Sequence, residues 1–152
     1  MALVGNMIAD AKSGNPSIVN YAMFVSVFAM LTLFYLTAAA ISEGLAGHPM
    51  LPLAVDALNT LFFLAGGIAL AGYLNVHSCN NMGYTHSNGI TNGSDNPEKR
   101  CREAQATCAF LWAGFATFSG SLVLSAMSSR SGSNFGRGVG GVREGAPSMS
   151  QV

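Results

Sequence analysis

Few residues in this chain of 152 could do chemistry, and most of them lie in one polar segment. Cys79 and Cys101 bracket that segment. If it faces an oxidising compartment, a disulfide closing it is the expectation. On the chain-entropy account such a bond contributes about 3 kcal/mol. His77 and His86 share the segment and make a zinc site with the two cysteines the rival reading, although the spacing matches no standard finger. The remaining cysteine, Cys108, falls inside an apolar run and reads as a packed, inert thiol. Asn92-Gly93-Ser94 is an N-glycosylation acceptor sequence, which makes Asn92 a modification candidate.

Asp56 is the other candidate, because it is the single ionisable residue in the apolar run from Leu51 to Leu74. An acid at that depth is a functional candidate by default. Close to the start of a helix, a carboxylate also favours the N-terminal end of the dipole. Its first reading is therefore an intramembrane acidic anchor. The sequence has no nucleophile–base pair, phosphate loop or metal motif. Neither an enzyme nor a cofactor is expected.

The elements that must position these residues are long and apolar. Leu51 to Leu74 gives a helix of roughly 36 Å at 1.5 Å per residue, enough to cross a hydrocarbon core of about 30 Å. Pro52 suits its first turn. Residues 17–41 and 106–127 make two further spans without a charge, and Tyr21 and Tyr35 lie towards the ends of the first of them. Residues 1–11 are apolar but only half a span long. Small residues suggest where helices meet: Gly67 with Ala71, and Ala109, Ala113, Ala116 and Gly120 at spacings of four, three and four. Between the last two spans lies the polar loop 75–105. Residues 128–152 are rich in Ser, Gly and Arg, too poor in apolar surface to fold, and expected to be disordered. Within them, Arg130 stands three residues before Ser133, a phosphorylation candidate.

Composition agrees with a membrane chain. Half of the residues are hydrophobic and 9% are charged, against about 25% charged in a soluble domain. Net charge is zero, and no basic patch interleaved with aromatics points to nucleic acid. The N-terminus lacks the basic region of a cleaved signal peptide. Lys and Arg are balanced between the loop and the tail, so the positive-inside rule leaves orientation open.

The loop and the last span carry a family likeness. His77-Ser78-Cys79, Tyr84, the run Lys99-Arg100-Cys101-Arg102-Glu103-Ala104-Gln105-Ala106 and Phe110 resemble the fungal MARVEL-domain proteins of the non-classical export type. Asp56-Ala57-Leu58-Asn59 and Asn15-Pro16-Ser17-Ile18-Val19-Asn20-Tyr21 look like the same family. The resemblance covers about residues 1 to 127. It implies a four-helix membrane protein with both termini in the cytoplasm. It also implies residence in furrow-like eisosome domains of the fungal plasma membrane, with roles in membrane organisation, sphingolipid response and unconventional export. The family starts with a complete first span, and this chain starts with the second half of one. The expectation is a shortened product. Its first segment would then lie tilted in the interface, or the chain would depend on oligomerisation for stability.

The sequence therefore predicts an all-α, polytopic transmembrane helix bundle with three complete spans and a half-length first helix (residues 1–127), followed by a cytoplasmic tail. The expected function is non-enzymatic: organisation of a plasma-membrane domain. Its expected partners are membrane lipids (a sphingolipid or sterol), other membrane-domain proteins and further copies of the chain. A small channel or transporter subunit is the alternative, for which Ser26, Thr32, Asn59, Thr60, Thr117 and Ser119 are the available polar residues.

Overall fold

The computed structural model describes residues 1–12, 14–41, 50–75 and 77–138; the connection 42–49, with Glu43 and His48, and the tail 139–152 lie outside the described residues. Helices and no strands occur among the described residues: α1 (Ala2–Ala9), α2 (Ser17–Ile41), α3 (Met50–Leu74), α4 (Met82–Ser87) and α5 (Pro97–Gly138). Three stretches are long and apolar enough to cross a membrane: Ser17–Ala39, Met50–Leu74 and Pro97–Met127. This is a multipass membrane helix bundle.

In hydrocarbon every backbone N–H and C=O must find its partner inside the protein, which selects helices for the spans. The side chains obey the same demand. Ser26 donates to the carbonyl of Ala22, Thr60 to that of Asp56 and Thr107 to that of Glu103, each at 2.8 Å. Large apolar residues are turned outward, Phe34 and Phe110 each 68% exposed. That is a costly arrangement in water and the expected one in lipid.

α5 starts earlier than hydropathy suggests. Asn96 accepts the backbone N–H of Lys99 at 3.2 Å, Pro97 occupies the first helical position, and Glu98 sits in the first turn. These are ordinary helix-start features. The last residues of the predicted loop are therefore the first turns of the helix. At its other end the helix backbone continues past Met127 to Gly138. Extending an existing helix needs no new nucleus, so Ser- and Gly-rich sequence can follow it. Part of the tail expected to be disordered is thus helical here.

α3 packs chiefly on α5 and also on α2, and α1 contacts α5 and α2. Val4 and Met7 of α1 are buried in the same core as Val19, Val25, Leu70 and Leu111, so this short helix is part of the bundle. The close approaches are made at glycines. Gly66 faces Tyr21 and Leu111, and Gly67 lies under the Trp112 ring. Gly114 is tighter still: a Cβ built on it would lie 2.3 Å from Cε1 of Phe63. Phe63 also packs on Phe118 with ring centroids 5.4 Å apart.

Gly114→Ala should therefore lower the thermal stability of the detergent-solubilised protein, by about 1–3 kcal/mol for an overpacked core position. Gly120→Ala, where an added Cβ meets nothing within 4 Å, is the control and should unfold like the parent. Equal stability of the two variants would show that Phe63 gives way freely.

Candidate functional site

The sequence-predicted residues separate into two places, a polar cap at one end of the bundle and a small polar cluster inside it.

The cap is built on the first turns of α5, where successive side chains reach different parts of the chain. Lys99 Nζ meets Asp10 Oδ2 at 2.9 Å. Arg100 donates from Nε to the Ile90 carbonyl at 2.7 Å and from Nη2 to Asn15 Oδ1 at 3.0 Å. Cys101 Sγ is 1.99 Å from Cys79 Sγ, a disulfide distance. Arg102 donates to Asn80 Oδ1, Glu103 accepts from Asn6 Nδ2, and Gln105 donates to the His77 carbonyl. One helical segment thus gathers α1, the turn before α2 and the whole loop.

These contacts differ in weight. The Lys99 pair, like Lys12 with Asp95 and Arg102 with Glu98, is exposed, and exposed ion pairs contribute little. Arg100 is 2% exposed. A cation buried that deeply must be met by fixed acceptors. Two are supplied, while Nη1 has no partner among the described residues. Gly93 leaves room for the guanidinium, since a Cβ there would stand 3.4 Å from its Cζ.

Tyr84 and Asn88 close the end of α3. A helix leaves its last carbonyls without partners. The Leu74 carbonyl accepts from Tyr84 Oη, and the Tyr73 carbonyl from Asn88 Nδ2 at 2.8 Å. Asn75 takes φ of +47°, the left-handed turn that commonly stops a helix. Burial of Tyr84 raises its phenol above the ordinary range. His77 stacks on this ring with centroids 4.6 Å apart.

No group of three or more His, Cys, Asp or Glu is placed to hold a metal among the described residues. In the structure Cys79 and Cys101 face each other, and His77 faces Tyr84. Asn92 is exposed on the loop, whereas Ser94 Oγ of the same acceptor sequence is buried without a partner among the described residues. Cys108 is half-buried beside the Gly67 carbonyl.

The second place is Asp56. It is buried, and its Oδ2 accepts from Ser121 Oγ at 2.7 Å. One turn further on, Asn59 is fully buried and donates to Thr32 Oγ1 at 2.9 Å and to the Val55 carbonyl at 3.0 Å. Asp56 Oδ1 and Asn59 Oδ1 have no partner among the described residues.

The small residues also separate. Gly67 lies at the contact of α3 with α5. Ala71, Ala109, Ala113, Ala116 and Gly120 are exposed in the single chain. The face of α5 that meets α3 is carried instead by Leu111, Gly114, Phe118 and Ser121. Ser133 lies on the helix backbone beyond Met127.

Residues 1–124 match the MARVEL membrane-associating domain. The chain belongs to the MARVEL family. Similar MARVEL relatives carry one kind of name. Non-classical export protein 2 of Saccharomyces cerevisiae is 38% identical, with all of this chain and 88% of that one covered. Non-classical export protein 102 of Candida albicans is 33% identical over the same shares. The Non-classical export protein 2 homolog of Schizosaccharomyces pombe is 33% identical over 82% of this chain and 67% of its own length. No solved structure matches this MARVEL chain.

Arg100 and Gly114 have no role legible in the sequence, and Asn59 has one there only among the polar residues of the channel alternative. Arg100 sits in the family-like run, but its acceptors come from Ile90 and Asn15, which no local spacing connects. Asn59 was one of several scattered polar residues until packing placed Thr32 beside it.

Thiol labelling of the denatured, non-reduced protein should modify Cys108 alone. Labelling of all three cysteines would exclude the Cys79–Cys101 bond, and a block that chelation removes would favour zinc.

Proposed function

We propose that this MARVEL protein is a non-enzymatic organiser of plasma-membrane domains, of the furrow-like eisosome type, acting through lipid contact and lateral helix packing. The names of its fungal relatives support a link to non-classical export, and the family resemblance supports a link to sphingolipid or sterol composition. The observation that carries the reading is the outer surface of the bundle. It is broadly apolar, and on α5 it presents Ala109, Ala113, Ala116 and Gly120 in one exposed stripe. Small residues on a lipid-facing helix let another helix approach closely, which suits contact with a further copy or another membrane-domain protein.

The rival reading, a small channel or transporter subunit, needs polar groups facing a continuous path. Ser26, Thr32 and Thr60 instead donate to carbonyls of their own helices, Asn59 is fully buried against Thr32, and Ser119 Oγ is buried as well. Asp56 serves as an anchor in this reading, and Ser133 as a site where phosphate would weaken attraction of the tail to an anionic leaflet.

The polar cap faces the outside and the C-terminal tail the cytoplasm. The disulfide-distance pair and Asn92, both in the cap, support that orientation, since disulfides persist in oxidising compartments. Protease applied to intact wall-less cells should leave a C-terminal tag whole; its loss would reverse the orientation. A fluorescently tagged copy should gather in patches at the cell surface and redistribute when sphingolipid synthesis is inhibited. An even distribution that ignores the inhibitor would count against the organiser reading.

A further inference from the structure

Asp56 lines a cavity of about 510 Å³ between α2, α3 and α5. Its other walls are apolar at Leu33, Leu36 and Phe118 and polar at Thr37, Thr117 and Ser121. The hydroxyl protons are already committed. Thr37 donates to the Leu33 carbonyl at 2.7 Å, Thr117 to the Gly114 carbonyl at 2.8 Å, and Ser121 to Asp56 Oδ2 at 2.7 Å. What these side chains have left is oxygen lone pairs. Asp56 Oδ1 adds an acceptor on a residue only 4% exposed, with no partner among the described residues.

The side chains of the cavity thus offer acceptors and no donors, and one of them is a carboxylate. A carboxylate that stays ionised at such burial is stabilised by a counter-charge. The runs 17–41, 51–74 and 106–127 themselves contain no Lys, Arg or His.

We propose that this cavity is a cation site, built for a small positively charged group that Asp56 neutralises and the hydroxyl oxygens of Thr37, Thr117 and Ser121 surround. Two sources carry that chemistry, the primary ammonium of an aminophospholipid and a bare monovalent ion. The apolar walls suit the lipid, whose chain can lie along Leu33, Leu36 and Phe118. Depth suits it too. Asp56 is about 9 Å along α3 from Met50 at 1.5 Å per residue, within reach of headgroups on the side of the short α2–α3 connection. A primary ammonium has three N–H donors, while the trimethylammonium of phosphatidylcholine has none. The site should distinguish them. This proposal rests on the membrane-spanning bundle and not on the plasma-membrane reading, so either can fail alone.

The test uses the full chain in phosphatidylcholine nanodiscs, with sodium replaced by N-methylglucamine, and follows thermal unfolding. Adding phosphatidylethanolamine should raise the midpoint of the parent but not of Asp56→Asn, which keeps the size of the side chain and removes its charge. A rise on adding sodium or potassium chloride instead, again lost in Asp56→Asn, would assign the site to the bare ion. A parent that responds to neither overturns the proposal. So does an Asp56→Asn variant that responds like the parent, because the lipid would then act on the bilayer as a whole. Should Asp56→Asn not fold, the double variant Thr37→Val, Thr117→Val keeps the charge and removes two acceptors. It should need about fivefold more ligand for half the effect, as expected for roughly 1 kcal/mol of lost hydrogen bonding. An unchanged requirement would overturn the proposal.

Discussion

Inside a bilayer no water waits for a stray N–H or C=O, and much of this structure follows from that. It makes the spans helical, and it turns serine and threonine hydroxyls back onto carbonyls of their own helices. It also explains the work done where α3 leaves the helical state. Tyr84 and Asn88 come from a separate short helix and the turn after it to occupy the last α3 carbonyls. The rule strains at Asp56, Asn59 and Ser119, where buried side-chain oxygens lack a partner among the described residues.

With backbone groups satisfied, lateral packing decides the rest. Lipid tails are as apolar as leucine, so helices gain little from merely hiding apolar surface from each other. Close approach matters more, and glycine provides it. Gly66 and Gly67 admit Tyr21, Leu111 and Trp112, and Gly114 admits Phe63. Aromatic rings fill the remaining space, with Phe62 edge-on to Phe24 and Phe28 at 5.5 and 5.2 Å. Bulky residues on one helix seated over glycines on another give the bundle its internal shape.

How much of this is legible in sequence depends on range. Apolar runs long enough to span lie where α2 and α3 form, because hydropathy and length are local properties. The early start of α5 was written as Asn96-Pro97, but the turns that follow are polar and hydropathy passes over them. Spacing identified a stripe of small residues on α5 without saying which way it turns. The side that meets α3 is fixed by the fit of Phe63 to Gly114. The family-like run from Lys99 to Gln105 was recognisable as a pattern, yet its meaning lies in Asp10, Asn15, Asn80 and Ile90, which only the fold brings near. Asp56 was visible as an acid in an apolar run; that Ser121 occupies one of its oxygens and leaves the other was not.

The reach of those cap contacts also sets an order of events. Asn6 meets Glu103, and Asn15 meets Arg100, so the beginning of the chain finds its polar partners only after most of the chain has been synthesised. Contacts that close such long loops form late, because chain entropy must be lost before they return anything. The pairing of α2 with α3 is local by comparison and can precede them. Until α5 has entered the membrane, Asn6 and Asp10 have only water and headgroups as partners. In that order of events α5 is the clasp, closing the contacts of Asn6 and Asn15 last.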